Sequence, residues 1–144
     1  MHGLTFESHY ALVALTAMAR HNSTSVLQMR QISAREHLPA PFLSKILLKL
    51  RHAGIVTSRH GRGGGYSLAR SPFEITVREV LMACNDSPVA FDLHNPAIAS
   101  NMPLSSGLQR LNGRLEKALE ETTIGELAGI AAAGRETSVA YAAV

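Results

Sequence analysis

Apolar residues recur at helical intervals through the first third of the chain. Ala11, Leu12, Leu15, Met18 and Ala19 share one side of a helix predicted over residues 6–20, and the HNSTS that follows supplies turn formers. A second, shorter helix is predicted over residues 28–37, with Met29, Ile32 and Ser33 on one face. Pro39 and Pro41 cannot sit inside a helix, but Pro41 suits the first turn of a new one. The third helix therefore starts near Pro41 and turns Phe42, Ile46, Leu47 and Leu50 inward. It stops at Gly54, after Arg51 and His52 have placed positive charge on its C-terminal end.

Beyond Gly54 the period falls to two. IVTSR and GYSLAR read as two short strands of a hairpin whose tip is residues 61–64. Three helices followed by a hairpin make a winged helix-turn-helix. ITVREVLMAC starts another helix, with Thr76 and Glu79 spaced as a capping box. Residues 85–106 hold three prolines and three asparagines with no sustained period, a length of irregular chain that usually serves a function. Leu104, Leu108, Leu111, Leu115, Ala118 and Leu119 then fall close to a heptad pattern, and such a lone stripe needs a partner to cover it. Thr123 and Glu126 repeat the capping signal. The fold class is mainly α. Residues 1–84 are expected to form the winged domain, 85–106 an irregular sensor loop, 107–131 a dimerisation helix with a short following helix, and 132–144 a frayed tail.

Charge adds a direction to this layout. The 144 residues carry a formal net charge of +3, but residues 1–80 hold ten lysines and arginines against four acidic residues, and the remainder holds four against seven. An anionic partner is expected to dock on the first half. Six of the seven histidines lie there too. No apolar run reaches the roughly 18 to 20 residues of a membrane span. The apolar stretch at residues 11–19 follows Glu7 and lacks a basic leader, so it reads as a helix of a cytoplasmic protein rather than a signal peptide. One cysteine, Cys84, rules out an intrachain disulfide and an all-cysteine metal site within one chain.

Residues 59–70, RHGRGGGYSLAR, contain three consecutive glycines among basic side chains. A nucleotide-phosphate cradle needs a helix N-terminus after the glycines, and here a strand follows, without the signature lysine and hydroxyl. A wing fits instead, with glycines that let the tip approach a phosphate backbone and with Arg59, His60 and Arg62 supplying charge. No GxSxG, HExxH or closely spaced carboxylate pair supports an enzyme.

LPAPFLSKILLKLRHAGIVTSRHGRGGGYSLAR followed by EITVREV, with YALVAL in the first helix, resembles the DNA-binding domain of the Rrf2 family of bacterial transcription regulators. The resemblance runs from Leu4 to Val80 and continues more loosely through the leucine stripe and TTIGEL. It implies a homodimer on double-stranded DNA, with a recognition helix in the major groove, a wing in the minor groove and a long dimerisation helix. Wings of the family usually carry arginine immediately before the first glycine of the tip, where this chain has His60, with Arg59 and Arg62 on either side. Iron–sulfur members carry three cysteines in the loop after the fourth helix, and this loop carries none, so the standard cluster is excluded. His94 stands near the first of those cysteine positions, and His9 and His37 near positions that supply other ligands in relatives. A metal or non-standard cluster held by these histidines across a dimer interface is one candidate sensor.

Cys84 falls on the Val77, Val80 and Leu81 face of its helix, which reads as a small core residue, with a redox-sensing thiol or an intersubunit disulfide as the alternatives. Ala40, Ser44 and Lys45 are candidates for base-edge or nearby phosphate contacts, and Lys49 and Arg51 for phosphates. The sequence thus reads as a homodimeric transcription regulator, a repressor of a pseudo-palindromic operator that answers a redox, metal or small-molecule signal. The alternatives are a winged-helix protein-binding module and a His-ligated metal or iron–sulfur sensor.

Overall fold

Polar side chains at Thr76, Asn95, Asn101 and Thr123 cap the later helices in the computed structural model, which describes residues 4–21, 25–87 and 90–131. Helix α1 spans Phe6–Arg20, α2 Met29–Glu36 and α3 Ala40–His52. Strands β1, Val56–Arg59, and β2, Gly65–Leu68, form an antiparallel hairpin with Val56 opposite Leu68 and Arg59 opposite Gly65. After a 3-10 turn at Pro72–Glu74 come α4, Val77–Ala83, the short α5, Pro96–Ala99, the long α6, Met102–Glu121, and α7, Ile124–Leu127. The capping box expected at α4 is present. Thr76 N–H donates to Glu79 Oε2 at 2.9 Å and Glu79 N–H donates back to Thr76 Oγ1 at 3.2 Å, satisfying two otherwise unpaired donors.

The core gathers where α1, α2 and α3 cross over the foot of the hairpin. Leu15, Ile32, Leu43, Leu47, Leu50 and Ile55 are each at most 1% exposed. On α3 the buried set is Leu43, Ile46, Leu47 and Leu50, one stripe at helical spacing. Phe42, expected to face inward, lies outside that stripe and is 51% exposed, its ring set edge-on to Tyr10 with centroids 6.5 Å apart.

The hairpin is fastened to the rest by more than its own ladder. Leu27, in the connection between α1 and α2, exchanges two backbone bonds with Tyr66, N–H to O distances 2.8 and 2.7 Å. This approach requires glycine beside it. A Cβ on Gly65 would meet Leu27 O at 2.4 Å, and one on Gly64 would meet Arg59 O at 2.2 Å. At these two positions the glycines answer close backbone approaches, within the hairpin at Gly64 and to the α1–α2 connection at Gly65.

Two expected boundaries shift. Asn101 accepts from Leu104 N–H and Pro103 occupies the first turn, so α6 starts at Met102 rather than at residue 107. The irregular segment expected over 85–106 therefore ends at Asn101 and contains the single turn α5. Nor does the core close within residues 1–84. Ile124 is fully buried and Ala128 is 6% exposed in the same core, because Val77 N–H bonds Thr122 O and Ile124 N–H bonds Ile75 O, each at 2.9 Å. Arg78 adds ion pairs to Glu116 at 3.3 Å and Glu120 at 3.4 Å, bracing α4 against α6. The tail expected to fray over 132–144 lies outside the described residues.

Candidate nucleic-acid interface

With Leu43, Ile46, Leu47 and Leu50 turned inward, helical geometry puts Pro41, Lys45, Leu48 and His52 on the outward line of α3, and all four are exposed. Ala40 and Ser44 are exposed on its first turns. Arg51 flanks this line on the hairpin side, where its Nη1 donates to Ser58 Oγ at 3.3 Å. Arg59, His60 and Arg62 are exposed on the hairpin. Among the described residues, Lys45, Arg51, Arg59 and Arg62 form no ion pair with a carboxylate, so their charges face outward undiminished.

Lys49 is the exception. It was expected to hold a phosphate, but it lies on the α1 flank of α3 and its ammonium is paired with the Glu7 carboxylate. The same corner of the molecule holds Asp86, which is 6% exposed and accepts from Thr5 N–H and Thr5 Oγ1, both at 3.0 Å, and from the Ser8 hydroxyl. Burial alone would raise the Asp86 pKa, but these bonds and the charge of Lys49 hold it below its ordinary value.

The outward line also contains residues that sequence reasoning passed over. Leu48 and His52 stand three and seven residues after Lys45, a signal available once the buried stripe is known. Arg30, exposed in the first turn of α2 with its Nε on Gln28 Oε1 at 3.0 Å, is a further cation on the same helix-turn-helix.

Cys84 is 3% exposed at the end of α4. Burial pushes its thiol up to about 11, the charges of Glu7 and Asp86 add to the rise, and Lys49 and the Ser8 hydroxyl offset it only in part. The redox reading of this residue needs an accessible thiolate, and the structure provides a covered thiol instead. The three candidate metal-binding histidines are dispersed. His9 Nδ1–H donates to Thr5 O at 2.8 Å, His37 ends α2 in the left-handed conformation with φ 54°, and His94 sits exposed beside Asp92. Among the described residues no three His, Cys, Asp or Glu side chains come together to hold a metal ion.

An outward helix bearing cations, set over a helix-turn-helix and beside a basic hairpin, defines a winged-helix DNA-binding transcription regulator. The chain belongs to the Rrf2 family, whose model, described as an iron-dependent transcriptional regulator, matches residues 4–129. It is 35% identical over 118 residues to the HTH-type transcriptional regulator IscR of Cereibacter sphaeroides, covering 81% of this chain and 75% of that protein. The structure is similar to that of IscR of T. potens, with TM-score 0.70, 26% identity, and coverage of 87% of this chain and 85% of the other. It has the same fold as CymR of B. subtilis, with TM-score 0.75, 21% identity, and coverage of 90% and 98%.

Iron in the family's description invites a test of the donors present. The segment after α4 has no cysteine, the one thiol is buried and protonated, and the described histidines do not converge. Among the described residues, the donors of a single chain do not fit an iron site.

Proposed function

We propose that the protein is a homodimeric repressor acting in the cytoplasm, which binds a pseudo-palindromic operator with α3 in the major groove and the β1–β2 hairpin over the adjacent minor groove. The observation that carries the dimer is α6. This helix of 20 residues has none buried, and Leu104, Leu111 and Leu115 are 44%, 41% and 38% exposed. Leucines repeated along one face gain little from water and gain much from a second copy of the same face. Two recognition helices related by a two-fold axis read inverted half-sites. Leu111→Asp combined with Leu115→Asp should weaken self-association and operator binding in parallel, as read by sedimentation and by footprinting. A monomer that protects a single half-site would defeat the reading.

The signal is proposed to enter at residues 85–101, between the winged domain and α6. A ligand acts through the difference in its affinity for the DNA-competent and incompetent dimers, and about 100-fold suffices to release a gene. Burial of Cys84 disfavours thiol oxidation. Two routes remain within the proposal, a small molecule and a metal held by His9, His37 and His94 from both protomers. Anaerobically purified wild-type and His94→Ala protein, analysed for iron and zinc, separate them.

A further inference from the structure

The outward line of the recognition helix is chemically lopsided. Pro41 has no side-chain donor, Lys45 and His52 have donors, and between these two stands Leu48, an aliphatic side chain that is 46% exposed. The buried stripe of α3 is complete without it. In a major groove lined with hydrogen-bonding base edges, an aliphatic group strips water from polar atoms and returns no bond to them. One base edge there does offer an apolar surface, the C5 methyl of thymine. Phosphate contacts supply affinity but carry no base sequence, so discrimination in the major groove falls to the exposed side chains of α3, this line among them.

We infer that Leu48 is a specificity-determining residue that packs against a thymine C5 methyl, so each operator half-site carries thymine at the position beneath it. This rests on the reading of α3 as the major-groove helix. The side chain is exposed, so its replacement leaves the core packing of α3 intact.

The test begins with selection of duplexes from a random library by the full chain. If no sequence is enriched, the DNA-reading function fails and this inference falls with it. In the enriched operator each half-site thymine is then replaced, one at a time, by deoxyuridine, which lacks only the methyl. At one position per half-site the wild-type protein should lose about fourfold in affinity, the size expected for one methyl contact. Leu48→Ala should lose a comparable factor on the thymine duplex and no longer distinguish thymine from deoxyuridine at that position. Leu48→Met, which keeps an apolar tip, should retain the distinction. A half-site with no methyl-sensitive thymine, or a Leu48→Ala protein that discriminates as the wild type does, overturns the assignment.

Discussion

Lys49 of the recognition helix is paired with Glu7 of α1, which turns one of the helix's cations away from the face that meets DNA. The two side chains keep 32% and 31% of their exposure, so the pair contributes about 0.5 kcal/mol to stability, as half-solvated pairs do. Lys49→Ala should therefore change the salt dependence of operator binding by much less than the roughly one unit lost when a phosphate contact is removed, whereas Lys45→Ala should lose about that unit. Dissociation constants measured across a salt series for both variants decide it, and equal slopes would return Lys49 to the interface.

Gly65 carries φ 151° and stands against the carbonyl of Leu27, so Gly65→Ala forces either the hairpin or the α1–α2 connection to move. A destabilisation of about 2 kcal/mol is expected. Urea titration should show the lower midpoint, and the same variant should bind DNA more weakly because the hairpin is no longer set against Leu27. A midpoint unchanged from wild type would mean that the close approach is absent in solution.

For Asp86 the direction of the pKa shift fixes the pH dependence. Its carboxyl is held below the ordinary value of 3.8, so its stabilising contribution is fully present above that value and is lost as pH falls through the lower folded value. Asp86→Ala leaves Thr5 N–H and the Ser8 hydroxyl without their acceptor and should cost about 2 kcal/mol at pH 7. The deficit should shrink in acid below about pH 4. Thermal unfolding of both proteins between pH 3 and 7 provides the curve, and a deficit independent of pH would remove the carboxylate from the account.

Cys84 should resist thiol reagents. With its thiol pushed up to about 11 and 3% exposed, labelling of native protein by a disulfide reagent at pH 7.5 should run far below the rate in denaturant. Fast stoichiometric labelling of the folded protein would contradict this and would reopen Cys84 as a redox sensor.

The helices and the hairpin were legible because their signals are local. The capping box at Thr76 and Glu79, the stop at Gly54 and the change of period after it each depend on residues a few positions apart. The exposed wing residues and Lys45 were legible for the same reason. What escaped depends on helix phase and on distant contacts. Phe42 and Lys49 could be assigned a direction only once the stripe of Leu43, Ile46, Leu47 and Leu50 had fixed the rotation of α3 and α1 had supplied Tyr10 and Glu7. The role of Gly64 and Gly65 was likewise hidden, since the carbonyl that Gly65 approaches belongs to Leu27, far away in sequence.

Ile124 and Ala128 complete a core whose other members come from the first 84 residues. The chain therefore closes a loop on itself, with residues 85–121 as an excursion from a body that both its flanks build. A protease nick near Phe91 would yield two pieces that stay together, the second held by Ile124 and Ala128 seated among side chains of the first. Truncation after residue 84 takes Ile124 and Ala128 out of this core, so the shortened chain should unfold more readily than the whole one.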